Sequence, residues 1–219
     1  MEAVKNHMIV DAALQRHITD RFIAGRFGDI PSHAVHDLGR VRLPGAGDVA
    51  LHLRHAADAI LLDDFGQVVL ITRLHHPGAG LLALPGGFID AVDGGMENPL
   101  EAAIREAVEE TGVDEELLRG SAAAPAGHRL YDRPFDIRVA WNNLPGTSIR
   151  QGDVFGVSTQ GFCFRLPRNL RDLPLQAGDD AKAVQVLEIA SLRESQFAVP
   201  DHLPLIRLAR EMPEPGHKS

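Results

Sequence analysis

The sequence predicts a layered α/β or α+β domain, from the order of three segments. A β-rich hairpin pattern occupies residues 59–73, a strongly signalled helix follows at 98–112, and another β-rich run lies at 183–187. The hairpin has turn residues, and the helix has start and stop residues, at the expected places. Strands before and after a central helix indicate helices layered on a β-sheet.

The composition is that of an ordinary folded domain. The 219 residues are 44% apolar and 24% charged, which excludes collagen, a disordered chain and a disulfide scaffold. No run approaches the roughly 18 apolar residues that a membrane span needs, and residues 1–7 lack the pattern of a secretory signal. We therefore expect a cytoplasmic protein without a membrane partner.

The single cysteine, Cys163, lies between two phenylalanines and is expected to be a buried structural thiol.

The formal net charge of −8 argues against a non-specific DNA or RNA binder, because such proteins neutralise phosphates with surplus lysine and arginine. An acidic enzyme can still bind phosphates through local arginines or through divalent cations that bridge carboxylate and phosphate. The 11 histidines lack the i, i+4 spacing of a zinc motif. A histidine metal site is therefore not expected.

Before the central helix, the patterns predict one helix and several strands. Apolar residues at helical spacing predict a helix over 8–24, and alternating residues within 30–56 predict short strands. Residues 59–73, with turn residues at 63–66, predict a hairpin. Residues 80–90 are expected to continue as a strand into the loop Leu84–Asp90.

The central helix has the strongest signals in the chain. Asn98 is a good N-cap, Pro99 suits the first helical position, and Glu101 has the spacing of a capping box. Gly112 is a good stop. The residues expected on its apolar side are Leu100, Ile104, Ala107 and Val108.

After the central helix, the patterns predict a loop, three strands, a helix and a frayed tail. These are, in order, a loop at 121–127, strands near 137–141, 160–166 and 183–187, a helix at 202–210 and a tail at 213–219. There is no internal repeat and no long linker, so a single domain is favoured.

Three glutamates lie on the side of the central helix roughly opposite its apolar face. Glu106, Glu109 and Glu110 stand at i, i+3 and i+4, where like charges repel by about 0.2–0.5 kcal/mol per pair. One interpretation is a solvated acidic face. The other is a Mg²⁺ or Mn²⁺ site, because hard cations prefer carboxylate and carbonyl oxygens and bind substrate phosphates.

The surrounding residues resemble the signature box of the Nudix hydrolases. Gly87, Glu97 and the run 105–113 (Arg-Glu-Ala-Val-Glu-Glu-Thr-Gly-Val) fit that box, with seven residues between the first glutamate and the arginine. The nine residues between Gly87 and Glu97 exceed the family's usual spacing by four. Strict counting would place Ala91 in the glycine position, but we interpret the difference as an insertion at 90–96 and retain Gly87.

The resemblance covers about residues 56–210, so we expect an N-terminal extension at 1–55 and a Nudix domain at 56–219. It implies an α/β/α sandwich with a mixed β-sheet, and hydrolysis of a nucleoside diphosphate linked to another group. For the extension it implies a homodimer contact, with a lid over the site as the alternative.

The resemblance also implies roles for individual residues. The implied ligands of Mg²⁺ or Mn²⁺ are Glu106, Glu109, Glu110 and the carbonyl of Gly87. Arg105 would pair with Glu97 or with a neighbouring glutamate, and Glu97 is either such a structural partner or an outer-sphere metal contact. The expected general base is Asp180, in preference to Asp179, or else Glu109. The alternative is that the two aspartates are only loop acids.

Three later segments, 131–138, 178–181 and 201–202, resemble the Nudix branch that cleaves ADP-ribose. Hydrolysis of ADP-ribose to AMP and ribose 5-phosphate is therefore the predicted activity. The residues expected to contact substrate are Arg73, Asp132, Phe135 and Arg138, with Arg150 as the alternative to Arg138 for a phosphate contact.

Two other functions stay open at this point. One is a pyrophosphatase for NADH, a nucleotide sugar or a capped RNA end. The other is an ADP-ribose sensor that binds without cutting. The related sensors carry a DNA-binding domain after the Nudix domain, and no basic recognition helix follows 183–187; the intact glutamates also favour an enzyme.

Overall fold

The computed structural model describes residues 35–43, 47–75, 78–92, 95–130, 138–140, 142–144, 147–178 and 181–213. The predicted helix at 8–24 and most of the predicted tail lie outside these residues, and the predicted division near residue 56 stays a prediction. No helix in the described ranges is long and apolar enough to cross a membrane.

The described chain contains strands and helices in mixed order. The strands are β1 (Val35–Leu43), β2 (Gly47–Leu62), β3 (Gln67–Arg73), β4 (Leu82–Ala83), β5 (Gly86–Phe88), β6 (Ala91–Val92), β7 (Gly95–Met96), β8 (Ala122–Leu130), β9 (Arg138–Val139), β10 (Val154–Arg165) and β11 (Ala181–Glu188). The α-helices are α1 (Pro99–Thr111), α2 (Glu115–Gly120) and α3 (His202–Glu211).

The chain divides into two compact units. The first comprises Met1–Ala56, Phe88–Glu97 and Leu130–Thr159, and the second comprises Ala57–Gly87, Asn98–Arg129 and Gln160–Ser219. Strands β2 and β10 each pass from one unit into the other.

In the first unit, β1 pairs antiparallel with the beginning of β2, and β9 pairs antiparallel with the beginning of β10. Strands within 30–56 are therefore confirmed where the structure describes them, but they are longer than expected, because β1 has 9 residues and β2 has 16 and continues to Leu62. Strands β6 and β7 form a small antiparallel hairpin within the expected insertion at 90–96. Inside this unit, His52 Nε2 lies 3.3 Å from Asp153 Oδ2, and the Arg54 guanidinium lies 3.5 Å from the Phe88 ring centroid.

In the second unit, the strands lie in the order β11-β3-β2-β10-β8. Strand β3 is antiparallel to both β2 and β11, which confirms the predicted hairpin. The buried Asp63 carboxylate closes its turn by accepting from the backbone N–H groups of Phe65 (3.0 Å) and Gln67 (2.8 Å). Aspartate is favoured at such turns because its side chain can replace a backbone acceptor.

Helix α3 covers apolar residues of the second unit's sheet. Ile60 and Leu70 belong to one buried cluster with Leu205 and Ile206 of the helix. At the end of α3, the Arg165 guanidinium donates to the carbonyls of Ala209, Arg210 and Met212. The predicted final helix is thus confirmed, one residue longer than expected.

The buried thiol prediction is also confirmed. Cys163 belongs to the same apolar cluster, and burial raises the pKa of its thiol. A neutral thiol in that position acts as a small apolar side chain.

Two expectations about the strands were wrong. The predicted loop at 121–127 is most of strand β8, which ends the strand order of the second unit. A proline is tolerated in such a strand because its missing N–H costs least at a sheet edge, and Pro125 is exposed. The strand expected to run into the loop Leu84–Asp90 is present as β4, but part of that loop is strand β5, which pairs with β2. Between β4 and β5, Pro85 has no N–H and the Leu84 N–H donates to His202.

Candidate active site

Helix α1 carries the predicted glutamates, and its two ends are fixed locally. Asn98 Oδ1 accepts from the Leu100 N–H at 2.9 Å, and Gly112 ends the helix in the left-handed conformation at φ 65°. The predicted capping box is wrong: the Glu101 carboxylate binds the Arg119 guanidinium instead, at 2.6 and 3.0 Å. An ion pair with arginine outcompetes the weaker return bond to a backbone N–H.

The buried side of α1 differs from the expected one. Its members are Ala102, Ala103, Ile104, Ala107, Glu110 and Thr111. Small side chains let the helix approach its neighbours, one of which is β11. The expectation that all three glutamates lie opposite the apolar face is therefore wrong for Glu110, which is only 8% exposed.

The Glu110 carboxylate is bound by the main chain of a glycine turn. Its Oε2 atom accepts from the Gly86 N–H at 2.9 Å. Burial raises the pKa of Glu110 to about 8, and the charges of Glu106 and Asp58 act in the same direction, against the Gly86 N–H and Arg73, which lower it. Two carboxylates and one guanidinium therefore act on the charge of Glu110.

Gly87 allows the Glu106 side chain to approach the same turn. A Cβ atom added at Gly87 would overlap the Glu106 carboxylate, so no larger residue fits this position without a shift. This closeness supports the choice of Gly87, rather than Ala91, as the glycine of the box. Ala91 pairs with Met96 in the β6–β7 hairpin of the first unit.

Arg105 binds the neighbouring glutamates of its own helix. Its Nη1 atom donates to Glu106 Oε1 at 2.7 Å and to Glu109 Oε2 at 3.2 Å. The predicted pairing of Arg105 with a neighbouring glutamate is thus observed, and its pairing with Glu97 stays a prediction. The guanidinium therefore restricts the orientation of both carboxylates.

Glu97 closes the loop that holds the predicted insertion. Its N–H donates to the Asp90 carbonyl at 3.0 Å, and its Oε2 atom accepts from the Asp90 N–H at 3.3 Å. These contacts lie within the first unit. The two roles expected for Glu97, as a partner of Arg105 and as an outer-sphere metal contact, stay predictions.

The chain before Asp180 is fixed on the end of α1. Gln176 N–H donates to the Thr111 carbonyl at 2.8 Å, and Gly178 N–H donates to the Glu110 carbonyl at 3.2 Å. A Cβ atom at Gly178 would overlap the Glu109 carbonyl, so the approach requires glycine. Asp179 and Asp180 themselves lie outside the described residues.

The structure describes only some of the predicted substrate contacts. Arg73 ends β3 opposite Ala181, and its charge acts on Glu110. The exposed Arg150 donates to the carbonyls of Thr147 (2.8 Å) and Ile149 (3.3 Å). Of Arg138 only the backbone, in β9, is described, and Asp132 and Phe135 lie outside the described residues; all three stay predictions.

Two buried polar residues beside the glycine turn were not predicted as site residues. Asp58 is 6% exposed and His202 is 4% exposed, and they lie 3.5 Å apart between Oδ2 and Nε2. Asp58 is the lone acid in the apolar run 56–62, which is the signal that sequence reasoning could have used. A charged residue inside a buried strand is rare unless it has partners.

The donor set fits a divalent cation. Among the described residues, no three His, Cys, Asp or Glu side chains are already arranged around a metal ion. The groups that meet at the glycine turn are nevertheless carboxylates, the oxygen ligands that hard cations prefer. A cation would also offset the charges of Glu106 and Asp58, which add to the effect of burial in raising the pKa of Glu110. Glu106, Glu109 and Glu110, with the Gly87 carbonyl, stay its predicted ligands.

A glutamate-bearing helix beside a glycine turn and a mixed β-sheet defines a Nudix-type domain, and the comparison with known families agrees. The NUDIX domain family matches residues 52–208. The chain belongs to this family, as the signature box predicted.

One sequence relative is the ADP-ribose pyrophosphatase of Methanocaldococcus jannaschii. The two chains are 41% identical over 63 residues, which is 29% of this chain and 34% of that protein. This chain therefore matches about a third of the length of that relative.

Two crystal structures of a bifunctional NMN adenylyltransferase/ADP-ribose pyrophosphatase from Francisella tularensis have a similar fold. The structure complexed with AMP and a Mn ion has a TM-score of 0.51 at 22% identity, over 72% of this chain and 41% of that one. The other has a TM-score of 0.51 at 23% identity, over 72% and 40%. These similarities confirm the predicted α/β fold with a mixed sheet.

Proposed function

We propose that this protein is a Nudix pyrophosphatase that uses Mg²⁺ or Mn²⁺ to hydrolyse a nucleoside diphosphate linked to another group, with ADP-ribose as the substrate. The observation that carries the proposal is the placement of Glu110. It is buried, bound to the Gly86 N–H and close to further carboxylates. The partial similarity to an ADP-ribose pyrophosphatase supports the choice of substrate.

The reaction is the attack of water on one phosphorus of the pyrophosphate. A bond forms between the water oxygen and phosphorus, and the bond from that phosphorus to the bridging oxygen breaks. ADP-ribose then gives AMP and ribose 5-phosphate. The bound cation would lower the pKa of the water and offset the phosphate charge.

The protein's own side chains orient the reactants and accept the proton. Arg105 holds Glu106 and Glu109 in place, and Arg73 is the proposed phosphate contact beside Glu110. The water proton passes to Asp180 or, as the alternative, to Glu109, whose side chain is 59% exposed. Asp132, Phe135 and Arg138 are the further proposed substrate contacts.

The proposal is tested by product analysis. The protein is incubated with Mg²⁺ and, in separate reactions, ADP-ribose, NADH, a nucleotide sugar or a capped RNA, and the products are separated by chromatography. We expect AMP and ribose 5-phosphate from ADP-ribose. Faster cleavage of another compound would make that compound, and not ADP-ribose, the substrate. Binding of ADP-ribose without turnover would indicate a sensor.

Glu110→Gln should abolish hydrolysis and preserve the fold. The glutamine carbonyl can still accept from the Gly86 N–H, but the side chain can no longer carry the charge that a cation needs. Glu101→Gln is the matched control, because Glu101 lies on the same helix and binds only Arg119 and not the glycine turn among the contacts described. Turnover that survives in Glu110→Gln would reject the metal assignment.

A homodimer and a cytoplasmic location are part of the same proposal. The homodimer rests on the expectation for residues 1–55, and the location rests on the composition of the chain. Sedimentation of the purified full chain tests the first, and fractionation of the producing cells tests the second.

A further inference from the structure

The turn Leu84–Gly87 is held on one side by a histidine. The Leu84 N–H donates to His202 Nδ1 at 3.0 Å, although the two residues are 118 positions apart in the sequence. A ring nitrogen that accepts a hydrogen bond carries no proton. His202 is therefore the neutral imidazole with its proton on Nε2.

That proton lies beside a buried carboxylate. His202 Nε2 is 3.5 Å from Asp58 Oδ2, and the two side chains are 4% and 8% exposed. A Cβ atom at Gly86 would overlap Asp58 Oδ1, so the carboxylate lies directly against the Gly86 Cα atom. The pair thus contacts the turn at both Leu84 and Gly86.

The imidazole ring is fixed by its other neighbours. The Phe197 ring packs edge-on against it, with centroids 6.4 Å apart and planes at 81°. The next residue, Ala198, donates its N–H to the Leu82 carbonyl at 2.8 Å. The segment just before α3, which holds Phe197 and Ala198, is therefore bound both to His202 and to strand β4, which leads into the turn.

On its other side, the same turn meets the glutamates of α1. The Gly86 N–H binds Glu110, and Gly87 lies against Glu106. We propose that Asp58 and His202 are positioning residues that set the Leu84–Gly87 turn against Glu106 and Glu110, and so set how tightly these glutamates bind a divalent cation. The metal part of this inference rests on the proposed function.

Two amide variants of His202 separate its two contacts. Asparagine can present its carbonyl oxygen near the Nδ1 position and accept from Leu84, whereas glutamine places its amide near the Nε2 position and leaves Leu84 without an acceptor. Mn²⁺ binding to each full-length variant is measured by titration calorimetry. Since outer partners of metal ligands change affinity by about 10–100-fold, we expect Kd to rise at least about tenfold for His202→Gln. We expect His202→Asn to stay within about threefold of the unaltered protein.

Arg165→Gln is the control for lost stability. Arg165 binds carbonyls at the opposite end of α3, so its loss loosens the same helix without touching the turn. We expect a lower Tm and an unchanged Kd for Mn²⁺. Equal Kd values for His202→Gln and the unaltered protein, or an equal weakening in Arg165→Gln, would overturn the inference.

Hydrogen exchange in the unaltered, metal-free protein tests the turn without any variant. Because both amides are bound, we expect the Leu84 and Gly86 N–H groups to exchange slowly and at similar rates. Exchange of Leu84 at the rate of an unprotected amide would overturn the inference even if the variants fail to fold. An unaltered protein that binds no Mn²⁺ rejects the proposed function, whereas tight binding that neither His202 variant weakens rejects only the role of the pair.

Discussion

At the scale of single residues, Glu110 is an acid whose ionisation is opposed by burial and by the neighbouring carboxylates. Its carboxyl group has lost most of its contact with water and gains one backbone hydrogen bond, while Glu106 and Asp58 disfavour its ionisation. A cation bound to the carboxylate would reverse that balance, because it replaces the missing positive charge. The protonated acid and the metal-bound carboxylate are therefore competing forms of one side chain.

This competition predicts that cation binding depends on pH. The pKa of Glu110 is raised from 4.5 to about 8, so between these values the folded protein keeps a proton that the unfolded chain has released. The stability that this proton provides is complete below pH 4.5 and is lost as pH rises through 8. A cation displaces the proton more easily at high pH, and we expect the increase in Tm caused by Mg²⁺ to be larger at pH 8 than at pH 6.

Thermal unfolding with and without Mg²⁺ at the two pH values measures this difference. In Glu110→Gln, which has no proton to displace, the dependence on pH should be lost. An equal Mg²⁺ effect at pH 6 and pH 8 in the unaltered protein would contradict this account of Glu110.

Gly87 gives a second prediction at the residue scale. A methyl group there would overlap the Glu106 carboxylate, which is the end of a flexible side chain and would turn away from its observed position. Gly87→Ala should therefore preserve the fold and lower kcat/KM for ADP-ribose by at least about tenfold, which corresponds to a barrier increase of about 1.4 kcal/mol. Gly120→Ala is the control, because a Cβ atom at Gly120 meets nothing within 4 Å. Full activity of Gly87→Ala would show that Glu106 does not need its observed position.

At the scale of elements, α1 was the most predictable part of the molecule. Its N-cap and its glycine stop are local signals, and both are present as predicted. The inward position of Glu110 was not predictable from the helix alone. It depends on the Gly86 N–H and on the segment at Gln176–Gly178, which are distant in sequence.

The N-cap of α1 makes a testable contribution to stability. Asn98→Ala removes the acceptor for the Leu100 N–H, and loss of an N-cap side chain typically costs about 1 kcal/mol. Asn98→Asp should restore the stability, because aspartate caps equally well and favours the positive end of the helix dipole. Urea unfolding measures the free energies, and equal values for Asn98→Ala and the unaltered protein would argue against the cap.

Strand β8 shows the limit of local patterns at the same scale. Alanine, proline and glycine between 122 and 127 have low strand propensity, so their composition indicated a loop. Pairing in the second unit's sheet decides the conformation instead. The hairpin of β2 and β3 was predictable because its turn residues and both strands are neighbours in the chain.

At the scale of the whole molecule, the signature box made the family and the fold predictable. The box could not reveal Asp58 and His202, whose contact joins a strand before the box to the helix α3 long after it. Such a pairing follows from tertiary packing, and no spacing rule encodes it. The same holds for the register between β3 and β11, which places Arg73 opposite Ala181.

We propose that this protein hydrolyses ADP-ribose through the glutamates of α1 and a divalent cation. Phosphorus NMR follows this reaction in ADP-ribose incubated with the full-length protein, with Mg²⁺ present in one sample and chelated in another. We predict that the two pyrophosphate signals are replaced by two monophosphate signals only with Mg²⁺, and that Glu110→Gln leaves them unchanged. Pyrophosphate signals that persist with Mg²⁺, or equal cleavage by Glu110→Gln, would contradict the account.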